Sequence, residues 1–188
     1  MTIDDLHQVR KNSKIIIRQS EIETALNKLA EQLNNDYEDK NPLFLIVLNG
    51  GLIFSGQLLP KIDILCQIDY CHATRYQGKR RGAKIQWKTK PQMNLANRDV
   101  IIIDDILDEG HTLASISDYC FTNNANSVKT LVLVEKQHQR KSYQGQKADY
   151  CELNVPDKYV FGFGMDYFHH WRNLKDIFIC DDRYIEAK

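Results

Sequence analysis

Apolar residues fall along this chain in two rhythms. Ile22, Leu26, Leu29 and Leu33 recur every three or four positions, which lines them up on one side of a helix, and Ser20 with Glu23 has the spacing of a capping box. The pattern predicts an amphipathic helix over about residues 20–35, lying on a sheet. Residues 43–48 and 100–103 form unbroken apolar runs instead, and 128–134 a third run interrupted only by Lys129 and Thr130. A strand with one wet face alternates apolar with polar, so runs without alternation predict strands covered on both faces, the habit of parallel sheets. Between the second and third runs, Leu113, Ile116, Tyr119 and Cys120 return to helical spacing over residues 112–121, until Asn123, Asn124 and Asn126 interrupt it. Strand, helix, strand is a βαβ unit.

Residues 64–73 and 85–88 are further strand candidates, and the polar stretch 76–84 between them predicts a long hairpin or mobile arm. Residues 158–165 and 176–180 are also expected as strands, with the aromatic residues Tyr167, Phe168 and Trp171 between them. Together these predict an α/β fold: one domain over residues 1–188, with a central, mainly parallel sheet flanked by helices.

Composition narrows the function. With 188 residues and 43% apolar content the chain has material for one core, and 25 basic against 25 acidic residues leave no global field to draw in nucleic acid or an anionic membrane. The seven Lys and Arg of residues 71–97, with no acid among them, read as a solvated lid beside a polyanionic small molecule. Five scattered cysteines without a Cys-x-x-Cys pair read as reduced thiols of a cytoplasmic protein. The polar start MTIDDLHQVRKNSK lacks a signal peptide's apolar region, no apolar span of membrane length occurs, and His169-His170 has no partners spaced for zinc.

The chemistry concentrates where the second run ends. Asp104 and Asp105 follow the apolar strand, then Ile106 and Leu107, then Asp108-Glu109-Gly110-His111-Thr112 at the start of the helix. A strand end feeding a helix N-terminus presents backbone N–H groups to a phosphate, Gly110 permits close approach, and Thr112 adds a hydroxyl. Carboxylates beside a phosphate cradle make sense for a ligand that also carries neutral hydroxyls, such as a sugar phosphate.

Residues 100–112 resemble the signature of the type I phosphoribosyltransferases: an apolar strand, two acids, two apolar residues, Asp, then Thr-Gly and a basic residue before Thr. The resemblance implies that Asp104 and Asp105 hold the ribose hydroxyls of phosphoribosyl pyrophosphate, directly or through Mg2+. Asp108, Glu109, Gly110, His111 and Thr112 would wrap its 5′-phosphate, and Asp108 would take the proton from N7 of the base. Glu109 and His111 depart from the commoner Thr and Lys or Arg, so backbone N–H groups carry more of the phosphate contact.

Further matches resemble the hypoxanthine-guanine branch of that family. Lys158-Tyr159-Val160, Met165-Asp166-Tyr167 and Trp171-Arg172 are similar to its base-binding hood, expected over about residues 136–180. By this likeness Tyr159 stacks on the purine, Val160 and Asp166 lie near its 2-position, Asp166 meets a second magnesium, and Arg172 contacts pyrophosphate. Lys136 would donate to a 6-oxo group and so reject a 6-amino group. Asn49 and Gly50, in Leu48-Asn49-Gly50-Gly51, would form the pyrophosphate loop, with Asn49 where many members have Lys. Arg75-Tyr76 would open a mobile lid around residues 72–92. Relatives of this kind are homodimers or homotetramers, acting on small-molecule substrates, not nucleic acid or membranes. The alternative is a regulatory protein on the same fold that binds a nucleotide and nucleic acid; a phosphatase or receiver domain ranks third.

Overall fold

In chain order the elements are α1 (Ile3–Asn12), β1 (Lys14–Ile17), α2 (Gln19–Asp36), β2 (Leu43–Leu48), α3 (Gly51–Leu58), β3 (Gln67–Arg75) and β4 (Ile85–Thr89). They continue with β5 (Asp99–Leu107), α4 (His111–Thr122), β6 (Ser127–Gln137), β7 (Leu153–Pro156), β8 (Val160–Phe161) and β9 (Ile177–Ile179). The computed structural model describes residues 1–75 and 85–185. The centre of the expected lid, residues 76–84, lies outside the described residues; β3 and β4 flank it.

A six-stranded sheet in the order β4-β3-β2-β5-β6-β7 forms the centre, parallel throughout except for the antiparallel β3–β4 pair. Its central strands β2, β5 and β6 carry continuous apolar stretches because both of their faces are covered. Phe44, Ile101, Ile103, Leu131 and Leu133 pack with α2 residues Ile22, Leu26, Leu29 and Leu33. The intervening positions Leu45, Val100, Ile102 and Val132 pack with α4 residues Leu113, Ile116 and Cys120 on the opposite face.

A second sheet, β1-β9-β8, is antiparallel and stands beside the first. Helix α1 is tied to it: Trp171 Nε1 donates to the Leu6 carbonyl at 3.1 Å, and Val9 is buried with Phe161, Tyr167 and Phe178.

Several expectations are corrected. Helix α2 is capped by the Arg18 backbone N–H on Glu21 Oε2 (2.9 Å) and by Gln19 N–H on Asp176 Oδ1 (2.8 Å), which leaves Ser20 inside the first turn and Glu23 paired with Lys61. The strand expected over residues 158–165 shrinks to β8, because Gly162 and Phe163 take positive φ and the chain doubles back, Gly162 N–H donating to the Met165 carbonyl. Strand β5 runs on to Leu107, so Asp104 and Asp105 stand within it and not after it. Four elements escape the sequence reading: α1, β1, α3 and β7. Strands β1 and β7 are only four residues long, α1 carries just Ile3, Leu6 and Val9 among polar residues, and α3 follows so closely on β2 that its apolar side chains continue the preceding run.

Candidate active site

Chain order reverses between β2 and β5: β2 connects to β3 on one side, β5 to β6 on the other. At such a switch point the outgoing loops diverge and leave a crevice beyond the carboxyl ends of the strands. Here it is a cleft of about 440 Å³ whose lining includes Asn49 and Gly50 after β2, Asp104 and Asp105 of β5, and Asp108 and Thr112 beyond it. Lys136 of β6 also lines it, and Tyr159, Val160, Asp166 and Arg172 close it from the side of the second sheet.

On the cleft floor the acids are partly neutralised. Arg172 Nη2 lies 2.6 Å from Asp166 Oδ1, and its Nη1 donates to the Gly164 carbonyl at 2.6 Å and stands 3.8 Å from Asp105 Oδ2. Asp166 Oδ2 accepts from the His169 backbone N–H at 2.7 Å. Burial raises the Asp105 carboxyl to about 6 even though Arg172 pulls the other way. Burial, followed by the neighbouring Asp105 charge, raises Asp104 well above the usual carboxylate range. The pair is poised to accept hydrogen bonds or a cation.

Asp108 is differently placed. Oδ2 accepts from Lys136 Nζ and Oδ1 faces His138 Nε2, both at 2.7 Å. Burial works against its ionisation, but the hydrogen bonds from Lys136 and His138 outweigh it and hold the carboxyl below its ordinary range. Just beyond, residues 108–112 line a second cleft with Asp104 and Asp105. Gly110 caps α4 at φ 79°, where an L side chain is strained, and a β-carbon there would run into Gln146.

The cradle is held from behind. Gln146 Nε2 donates to the Gly110 carbonyl at 3.2 Å, and Ser142 N–H to the Glu109 carbonyl at 2.7 Å. Lys141 Nζ donates to the carbonyls of Leu107, Asp108 and Lys136 at 3.0, 2.8 and 3.0 Å. His111, where a basic residue was expected, is exposed with Nε2 3.8 Å from Glu109 Oε2.

The phosphoribosyl transferase domain model matches residues 13–168. The chain belongs to the phosphoribosyltransferase family. Similar curated relatives of this phosphoribosyltransferase include the hypoxanthine-guanine phosphoribosyltransferase of Streptococcus pyogenes serotype M3, 35% identical over 162 residues, 86% of this chain and 89% of that one. The hypoxanthine-guanine-xanthine phosphoribosyltransferase of Tritrichomonas foetus is 30% identical over 180 residues, covering 96% of this chain and 94% of its own. Among solved structures, a hypoxanthine phosphoribosyltransferase from Staphylococcus aureus superposes with a TM-score of 0.85 at 28% identity, covering 92% of this chain and 93% of that one.

Most site residues read from the sequence of this phosphoribosyltransferase meet at the switch point; Glu109, Gly110 and His111 line only the adjoining cradle. Tyr159 borders the cleft, half-buried, with its hydroxyl donating to the Asp166 carbonyl at 3.1 Å and its ring edge-on to Tyr167. Phe161 and Phe163 are core residues. Sequence reasoning missed His138, Lys141 and Gln146. His138 lies one residue past the end of β6, in the loop that turns back toward Asp108. His72 and Lys88 also line the cleft, from β3 and β4.

Proposed function

We propose that this phosphoribosyltransferase serves purine salvage, moving the 5-phosphoribosyl group of phosphoribosyl pyrophosphate to hypoxanthine or guanine, with IMP or GMP and pyrophosphate as products. The observation that carries the reading is the Asp108–Lys136 pair, which sets a carboxylate beside a donor-only ammonium between the cradle and the Tyr159 wall. A 6-oxopurine offers the matching edge: an exocyclic oxygen for Lys136 and a ring N–H at N7 for Asp108. Adenine would turn an amino group toward the ammonium, leaving both donors unpaired.

In the transfer, the C1′–oxygen bond to pyrophosphate breaks as a C1′–nitrogen bond to the base forms on the opposite face, with inversion at C1′. The electron pair leaves with pyrophosphate, and the base proton passes to Asp108 or is held by it. Backbone N–H groups of residues 109–112 bind the 5′-phosphate, Asp104 and Asp105 accept from the ribose hydroxyls, and Asn49, Gly50 and Arg172 border the pyrophosphate. The expected lid over residues 72–92 would exclude water from the cationic sugar.

Carboxylate oxygens suit Mg2+, which commonly takes one or two carboxylates and completes its shell with water and substrate phosphate oxygens. The residues fit such a shared ion: Asp104 and Asp105 on the floor, Asp166 at the hood. Among the described residues no group of three His, Cys, Asp or Glu is arranged to hold a metal alone. When bound, the ion would neutralise the donor's pyrophosphate and so ease its departure.

No helix among the described residues is long and apolar enough to cross a membrane, and all five thiols are free, which supports a cytoplasmic enzyme. Ile68 and Tyr70, exposed on one face of β3, support a homodimer or homotetramer. The regulatory reading is weaker, since a neutral chain offers no electrostatic footprint for nucleic acid. The test is magnesium-dependent pyrophosphate release with hypoxanthine, guanine, xanthine, adenine or uracil. Release confined to 6-oxopurines is expected; donor binding without release would restore the regulatory reading.

A further inference from the structure

The Asp108 carboxylate has one donor on each oxygen, and the two donors differ in kind. Lys136 reaches Oδ2 with an ammonium on a four-carbon stem that can turn elsewhere. His138 reaches Oδ1 with a ring whose side chain is only 3% exposed, and its other nitrogen, Nδ1, accepts the Arg140 backbone N–H at 3.0 Å. Because Nδ1 accepts, the hydrogen is assigned to Nε2, and His138 donates to Asp108.

We infer that His138 is a positioning residue that keeps the Asp108 carboxylate oriented when Lys136 leaves it for the base. This rests on the proposed transfer, in which one ammonium must reach the exocyclic oxygen of the purine. As Lys136 turns, Oδ2 becomes free to accept the N–H of the base, while Oδ1 stays fixed by the buried ring. Without His138, both donors would be gone at that moment, and the carboxylate could rotate about its Cβ–Cγ bond. The backbone of the same loop has its own support in Lys141, which donates to the carbonyls of Leu107, Asp108 and Lys136. His138 therefore controls the Asp108 side chain while Lys141 fixes its main chain, and the two roles can be separated by mutation. Arg140, beside Lys141 in the loop, is paired with Asp157.

The experiment compares the wild type with His138→Phe, His138→Leu and His138→Gln in the pyrophosphate-release assay, alone and combined with Asp108→Asn, with thermal melting of each. Phe and Leu remove the donor; the Gln amide nitrogen reaches about as far as Nε2. The expected result is a kcat lowered about tenfold to a hundredfold by Phe and Leu, with the KM for phosphoribosyl pyrophosphate changed by less than about twofold. Gln should restore most of the rate, and Phe should cost little more once Asp108 is Asn, since it acts through that carboxylate. A kcat near wild type in folded Phe and Leu variants would overturn the inference, as would equal loss with Gln or losses that multiply in the double variant. Those outcomes leave the proposed function standing if the wild type is active; a wild type silent with every 6-oxopurine overturns both.

Discussion

A β-carbon at Gly164 would stand 2.5 Å from the carbonyl oxygen of Gly50, so the hood meets the loop after β2 backbone to backbone. Gly164 also has φ 106°, a conformation that L residues rarely adopt. Gly164→Ala is therefore expected to destabilise the fold by about 1–3 kcal/mol, from strain and overpacking together. Gly56→Ala in α3 is the control, because a β-carbon there meets nothing within 4 Å and the change favours the helix. Thermal melting should show the first variant several degrees below the second.

Lys136→Ala is expected to raise the KM for hypoxanthine about tenfold or more and to narrow the preference for 6-oxo over 6-amino purines. Asp108 keeps its His138 donor in the same variant, so kcat should fall far less than in Asp108→Asn. Steady-state kinetics with hypoxanthine and adenine check both statements, and an unchanged hypoxanthine KM would count against Lys136 as the base contact.

Arg172 lies between Asp166, the Gly164 carbonyl and Asp105, with contacts that need the planar fork of a guanidinium. Arg172→Lys keeps the charge but cannot serve the three partners at once. The expected outcome is weaker binding of phosphoribosyl pyrophosphate by about tenfold. Calorimetric titration of the donor measures this directly, and unaltered affinity would remove Arg172 from the pyrophosphate side.

The acids and Gly110 were legible in the sequence because they sit where an apolar strand ends, whereas Asn49, Lys136, Tyr159, Asp166 and Arg172 followed from the resemblance to the hypoxanthine-guanine branch. The non-alternating runs mark the buried strands, and the acids and Gly110 at the end of one of them mark the cradle. What stayed hidden depends on tertiary contact. His138, Lys141 and Gln146 lie in a loop with no periodicity, and their value comes from reaching back to residues about thirty positions earlier. The second sheet was hidden for the same reason: β1 is a four-residue strand whose partner, β9, lies at the other end of the chain. The capping box assigned to Ser20 failed because the backbone of Arg18 and the side chain of Asp176 satisfy that helix start instead.

The depressed Asp108 carboxyl gives a signed pH prediction. Its folded value lies below the ordinary 3.8, so the stability from its pairing is fully present above that pH and is lost as pH falls through the folded value. The melting difference between the wild type and Asp108→Asn should then be level between about pH 7 and 5 and close only below about pH 4. A gap that closed on the alkaline side would contradict the pairing of Asp108 with Lys136 and His138.

In the proposed transfer the Asp108–Lys136 pair selects a 6-oxopurine. The most direct measurement mixes the enzyme with phosphoribosyl pyrophosphate, Mg2+ and equal amounts of hypoxanthine, guanine and adenine, and identifies the nucleotides by mass. IMP, GMP or both are expected, in step with pyrophosphate and without AMP. AMP among the products, or no nucleotide at all, would contradict this reading.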